Sequence, residues 1–286
     1  MILGAAALWG TTGTAQTFAP STLSSLWVGS ARLLVASFFF LLCIALTKPA
    51  YSKSASLDSL PLPYVLIAAA AMAVYNLAFF QGIRLTSVAG GTALALGSGP
   101  IWAGLVDVFY TRQLPPKVWW LGVSIAIVGL YFVTGASADT KAWPMHGVAL
   151  CLLSGLSYAV YGLSTKKILR STDPLVSVAV VFTLAALIAF SVVWMYAELP
   201  ELRRDDLIIL LWLGVVATGV AYLLFSFGMR YLNSRTGIAL ALAEPIAALL
   251  LAVVIVGERP QIEMFAGIGV MLLGLVLLIF AELRSS

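Results

Sequence analysis

The sequence predicts an all-α integral membrane fold in which ten transmembrane helices form two inverted five-helix repeats. Three observations lead there. Hydrophobic residues fill 62% of the 286 positions and charged residues only 10%, with a mean hydropathy of +1.04. Soluble domains run nearer half apolar and a quarter charged. Apolar runs of about twenty residues, long enough to cross a bilayer, recur along the chain. The stretch from Gly82 to Gly129 is also written a second time, from Gly228 to Gly274. Gly82-Ile83-Arg84 returns as Gly228-Met229-Arg230, and Ala93-Leu94 as Ala239-Leu240. After a one-residue slip, Pro100 answers Pro245, Pro115 answers Pro260, Gly122 answers Gly267 and Gly129-Leu130 answers Gly274-Leu275. A repeat of this length fixes the architecture before any single helix is considered.

The expected spans of the first repeat (1–137) are residues 2–19, 22–47, 62–83, 86–110 and 117–135. Those of the second (144–286) are 146–168, 174–197, 207–229, 235–256 and 262–282. Each must be helical, because hydrocarbon offers no partner for a free backbone group and an open sheet leaves unpaired edges. A barrel would alternate apolar and polar residues, and these runs do not. Pro20 closes the first span, since proline cannot continue the helical ladder. Lys48-Pro49 and the serine-rich 52–59 read as a polar loop, and Leu114-Pro115-Pro116-Lys117 as a tight turn. Asp139 to Pro144 links the repeats, Lys166 to Arg170 forms a basic cuff, Asp173-Pro174 opens a helix, and Glu198 to Asp206 is the most charged loop.

Charge sets orientation rather than marking a nucleic-acid partner. The net charge is +4 and the pI near 9.1, but the basic residues lie between apolar runs. With the N-terminus cytoplasmic, the inner loops carry Lys48, Lys53, Arg112, Lys117, Lys166, Lys167, Arg170, Arg230, Arg235 and Arg284. The outer loops carry Arg84, Lys141, Arg203, Arg204 and Arg259. That excess, about two to one, places both termini in the cytoplasm. An odd number of spans per repeat then makes the second repeat enter the membrane upside down, the plan of secondary transporters with a site near mid-membrane. No cleavable signal peptide is expected, as Met1 leads into an apolar run without a basic segment. Cys43 and Cys151 fall inside apolar runs and read as packed, reduced thiols. One histidine, His146, cannot build a metal cluster, and no cofactor is expected.

The residues also carry a resemblance. Leu8-Trp9-Gly10, Ala31-Arg32-Leu33-Leu34-Val35-Ala36, Leu85-Thr86-Ser87-Val88-Ala89, mid-helix Pro100, and Gly122 with Gly129 resemble the EamA family. Glu244-Pro245, Gly257-Glu258-Arg259-Pro260 and Gly267 to Gly274 match it better still. The likeness covers essentially the whole chain and places it in the drug/metabolite transporter superfamily, near the YddG-type aromatic amino-acid exporters. One departure is Gln113, which stands where the second repeat has Glu258. The resemblance implies a substrate cavity lined mainly by the first, third, fourth, sixth, eighth and ninth helices.

Candidate site residues follow from depth and spacing. Gly91, Ala95, Ser98 and Trp102 recur at helical steps, as do Gly237, Ala241, Glu244 and Ala248, so each set shares one helix side. Small residues there serve close helix packing or leave room for a ligand. Pro100 and Pro245 each free a carbonyl one turn back, and with Gly91 and Gly237 they are the candidate hinges. Glu244 sits near the bilayer centre, where a carboxylate costs roughly 2.5–3.5 kcal/mol, so it binds an ammonium, carries a proton or is held by a neighbouring helix. Arg32 reads as a structural ion pair or a snorkelling side chain, Asp107 as a helix-end charge, and Lys166 and Lys167 as topology signals. Trp9, Thr12 and Gln16 share a face of the first helix. Ser154, Tyr158, Tyr161 and Thr165 share one on the sixth, and Asn76 of the third, flanked by Tyr75 and Phe79, corresponds to Tyr222 of the eighth. Trp119, Trp120 and Trp143 fit an interfacial belt. Trp9, Asn76, Tyr158, Tyr161 and Tyr222 lie too deep for that and suit an amphipathic ligand.

The expected function is export of small amphipathic metabolites, chiefly aromatic or hydrophobic amino acids, across the inner (plasma) membrane by alternating access. Its partners would be that solute, membrane lipid and coupling protons; a monomer suffices, and nucleic acid is not expected. Nucleotide-sugars or drug-like solutes are the rival cargo, although the former want a deep basic cluster. A channel wants a continuous polar stripe. No phosphate loop, His-Glu-x-x-His pair or nucleophile beside a histidine supports an enzyme.

Overall fold

The apolar runs fold as helices in a computed structural model that describes residues 1–18, 23–51, 60–86, 88–112, 114–135, 143–200, 203–257 and 261–285. The first seven are α1 (Ile2–Phe18), α2 (Ser25–Tyr51), α3 (Leu62–Leu85), α4 (Val88–Thr111), α5 (Lys117–Gly135), α6 (Met145–Ile168) and α7 (Pro174–Tyr196). A composite rod, Arg204–Met229, follows as α8 (Arg204–Leu211), a π-helical stretch Trp212–Val220 and α9 (Ala221–Met229). A second composite rod joins α10 (Ser234–Ala239), a 3-10 turn Leu240–Ala243, α11 (Glu244–Leu251) and a π-helical stretch Ala252–Val256, before α12 (Ile262–Ser285). No strand occurs among the described residues. Eight of these rods are long and apolar enough to cross a membrane. In α1 and α5 the described apolar stretches, Ile2–Thr12 and Lys117–Val133, are shorter.

Two expectations are corrected here. α2 does not stop before Lys48-Pro49 but runs to Tyr51, because a proline this near a helix C-terminus removes only one bond of the last turns. Trp119 is not a belt residue: it is 1% exposed, with its ring and that of Trp120 seated where a side chain on Gly104 would stand. Pro20, loop 52–59, Gln113, the Asp139–Lys141 part of the linker and Glu258-Arg259-Pro260 lie outside the described residues. Other local signals hold. Asp173 opens α7 by accepting from the Leu175 N–H at 2.8 Å, and Cys43 and Cys151 are free thiols, the latter buried.

Glycines decide how the rods cross. A Cβ on Gly122 would stand 3.1 Å from the Gly274 carbonyl, and one on Gly129 would stand 2.7 Å from the Gly267 carbonyl. The reverse contacts hold, with Gly267 against the Gly129 carbonyl at 2.8 Å and Gly274 against the Gly122 carbonyl at 2.7 Å. α5 and α12 therefore run antiparallel, backbone on backbone. α2 and α7 are antiparallel too, joined by Trp27 with Phe190, Ser37 with Thr183 and Phe40 with Phe182. α3 packs on α6 where Gly82 meets Cys151 and Gly147 meets Leu85. Phe38, Leu46, Leu187, Trp194, Tyr196 and Phe265 point outward, while a continuous apolar core links α1, α3, α6, α7 and α9.

Candidate functional site

Five helical rods bring their aromatic residues to one place in the middle of the bundle. Gly10 of α1 lets that helix approach the α11 backbone so closely that a Cβ would stand 2.8 Å from the Ala248 nitrogen and 3.0 Å from the Glu244 carbonyl. Trp9, one residue earlier, turns inward and meets Tyr222 at 5.0 Å, Phe225 at 5.6 Å and Tyr158 at 6.2 Å between ring centroids. Tyr75 of α3 stacks on Phe79 at 5.8 Å and reaches Tyr158 at 5.6 Å. Tyr161 and Phe182 close the far side on Tyr222 at 5.7 and 4.8 Å. Such offset and edge-on pairs contribute about 0.5–1.5 kcal/mol each beyond their buried area.

The cluster is apolar in its rings and polar in its unpaired atoms. The Trp9 indole nitrogen, the Asn76 carboxamide oxygen and the Tyr158 hydroxyl are buried and make no hydrogen bond among the described residues. Burying a polar group without a partner carries a cost of about 1–3 kcal/mol, and ligands or water at a site remove it. Asn76 commits only its nitrogen, which donates to the Met72 carbonyl at 3.0 Å. The hydroxyl of Tyr75 lies beside that of Tyr222, and the hydroxyl of Tyr161 beside Thr165 and Ser226.

Two charges border these rings. Glu244 is half-buried and its carboxylate makes no hydrogen bond or close ion pair among the described residues. The 3-10 turn Leu240–Ala243 ends at Glu244, and Pro245 cannot donate to the Ala241 carbonyl; the Glu244 N–H takes that carbonyl instead. Arg32 is buried on α2, where sequence reasoning placed an ion pair or a snorkelling side chain. It does neither. Its Nε donates to the Thr218 hydroxyl at 2.9 Å, its Nη2 to the Ala217 carbonyl at 3.5 Å, and its plane lies over Phe80 at 5.5 Å. Thr218 is presented by the π-helical stretch, its hydroxyl donating to the Leu213 carbonyl five residues back at 2.6 Å. Gly214 brings α2 onto this stretch, with Val35 where a side chain would stand.

Not every candidate joins the ring cluster. Ser98 donates back to the Ala95 carbonyl at 3.2 Å and sits against Gly155, so Gly99 rather than Ser98 backs Tyr158. Trp102 has a buried, unpaired indole nitrogen but no ring contact with the cluster, and Thr12 is half-buried beyond it. The side chain of Gln16 lies outside the described residues. Gly91 packs on Thr86 and Ile83, and Gly237 on Met229, so both are close-approach glycines at helix starts. α4 continues unbroken through Pro100, whereas the rod bearing Pro245 departs from α geometry.

Polar contacts concentrate at one end of the bundle. Asp107 of α4 pairs with Arg235 of α10 at 2.7 Å. Glu282 of α12 accepts from the Asn233 N–H at 2.5 Å, its carboxamide at 3.1 Å and the Thr236 hydroxyl at 2.7 Å, giving α10 an anionic cap. Lys166 donates to the Met229 and Arg230 carbonyls at 2.7 and 3.0 Å. Clefts mark the opposite end. One of about 480 Å³ lies between Leu23, Trp27, Arg84, Glu198 and Arg203. Another, of about 320 Å³, lies between Thr11, Thr14, Ile208, Trp212 and Leu251.

This helical bundle has counterparts among known proteins. The model of the EamA-like transporter family matches this chain twice, over residues 1–135 and 145–280. The chain belongs to that family. Among curated members, the uncharacterized transporter YwfM of Bacillus subtilis is 32% identical over 277 residues, 97% of this chain and 92% of its own. The threonine/homoserine exporter RhtA of Escherichia coli is 26% identical over 226 residues, covering 76% and 70%. A solved crystal structure superposes with a TM-score of 0.82 over 100% of this chain and 97% of its own, at 16% identity, which speaks to the fold. Sequence reasoning singled out Trp9, Tyr75, Tyr158, Tyr161 and Tyr222, which the structure brings together in one ring cluster. It missed Phe182, Phe225 and the inward-facing position of Arg32. The mid-span charge of Arg32 was the one signal available for it.

Proposed function

We propose that this transporter exports small amphipathic metabolites, above all amino acids with aromatic or hydrophobic side chains, across the plasma membrane. The carrying observation is the central ring cluster, whose orphaned Trp9, Asn76 and Tyr158 atoms await polar partners beside the half-buried Glu244. Apolar walls with a few convergent polar atoms suit a solute with one greasy end. RhtA, a relative over 76% of the chain, is an exporter of threonine and homoserine, which favours an amino-acid cargo here.

The architecture we infer is ten helices in two inverted modules, 1–137 and 144–286, with both termini cytoplasmic. Two family matches and the antiparallel crossing of α5 with α12 support it. Transport would proceed by alternating access, as α3 with α4 and the Arg204–Met229 rod with its successor rock about the chamber. Latches at one end and clefts at the other are what one arrested half of such a cycle offers.

The test is counterflow of labelled amino acids in proteoliposomes, with and without a pH gradient. Phenylalanine, tryptophan and leucine should cross and compete with one another. Movement of nucleotide-sugars while no amino acid crosses would overturn the cargo.

A further inference from the structure

Arg32 and Glu244, which act on one another without a close ion pair, make with the girdle of rings a pattern that amphipathic character alone does not require. Among the described residues no carboxylate lies within 4.0 Å of the Arg32 guanidinium, and none is a hydrogen-bond partner of its Nη1. Thr218 and Phe80 hold the group rather than neutralise it. A buried guanidinium so placed is a bidentate receptor for a planar anion. Glu244 stands on a different wall, anchored by the Gly10 crossing beside Trp9. Tyr75 feels both charges, and Tyr222 stands one helical turn from Thr218 and 5.0 Å from Trp9.

Burying each of these charges alone costs several kcal/mol, and one ligand carrying the opposite pair would offset both at once. Resting on the amino-acid reading above, we infer that Arg32 and Glu244 are the two poles of a zwitterion site. The guanidinium takes the α-carboxylate, the Glu244 carboxylate takes the α-ammonium, and the cargo side chain lies on Trp9, Tyr158 and Phe225. The orphaned Asn76 oxygen, one turn from Phe80 on α3, is a second acceptor for the ammonium. Cargo of this class is a free α-amino acid, and amino-acid amides are excluded because the carboxylate pole would stay empty.

Competition against labelled phenylalanine in proteoliposomes tests this with the unaltered protein. The competitors are phenylalanine, phenethylamine, which lacks the carboxylate, and 3-phenylpropionate, which lacks the ammonium. Each truncated analogue should compete about tenfold or more weakly, the worth of one charge-assisted contact. Arg32→Gln should abolish the preference for phenylalanine over phenethylamine, while Arg32→Lys keeps part of it. Glu244→Gln should abolish the preference over 3-phenylpropionate. Equal competition by all three in the parent overturns the zwitterion site and leaves the amphipathic exporter standing. Absence of any amino-acid transport overturns both. Should Arg32→Gln lose its folded elution profile, the analogue series and Arg32→Lys decide the matter.

Discussion

Trp9 shows how much rests on one side chain. Its indole touches three rings from two other rods, so Trp9→Ala opens a void at the centre of the chamber. Loss of a buried tryptophan costs about 3–5 kcal/mol. We expect Trp9→Ala to cut counterflow more than about tenfold, with Trp9→Phe retaining most of it, because a smaller ring keeps the stack. Backbone crossings allow a cleaner measurement. A Cβ on Gly129 would stand 2.5 Å from the Met271 nitrogen, whereas one on Gly269 meets nothing within 4 Å. Gly129→Ala should lower the melting temperature in detergent, by about 1–3 kcal/mol of overpacking, and Gly269→Ala should not. The tyrosines and Trp9 were legible because a hydroxyl or an indole deep in an apolar run contrasts with its surroundings. Phe182 and Phe225 were not, since phenylalanine has no such contrast in a chain 62% hydrophobic. The environment of Arg32 depends on a π-helical register that no periodicity announces.

Among the elements, the two proline-bearing helices diverge in a way their matched spacing conceals. Both Pro100 and Pro245 remove a donor, yet α4 stays α-helical and only the later rod tightens into a 3-10 turn before its proline. Short 3-10 pieces inside a helix often mark a hinge. Pro245→Ala would let the Ala241 carbonyl regain an α-type bond. We expect this variant to be more stable in detergent, yet slower in counterflow by several-fold, so that thermal denaturation and transport move in opposite directions. The Glu282 cap is another device confined to an element end. Glu282→Gln removes the negative charge from bonds to the Asn233 N–H and the Thr236 hydroxyl, at a cost of about 1–3 kcal/mol. Urea titration in detergent would read it. Helix limits were mostly readable from apolar runs and prolines. The run-on of α2 to Tyr51 was not, because proline forbids a helix interior more firmly than its last turn.

For the whole molecule, the polar end and the cleft end differ, and Asp107 with Arg235 ties α4 to α10 only at the former. Both side chains are partly buried, 17% and 16% exposed, so their coupling should exceed that of a surface pair, at about 1 kcal/mol or more. Asp107→Asn and Arg235→Gln should each raise cysteine accessibility in the chamber from that end. The double variant should change it less than the sum of the two, which a double-mutant cycle measures. The repeat was legible in the written-twice sequence, and the family model matches the chain twice. Which end is closed was not, because both ends carry charged residues and only their pairing separates them. The crossing of α5 with α12 has a last consequence. At four points a glycine of one helix lies against the backbone carbonyl of the other, with only Leu278, Met271 and Phe132 side chains beside them, so we expect the seam to act as a fulcrum. Spin labels on its two sides should keep one distance through turnover, while labels across the Asp107–Arg235 contact should report two.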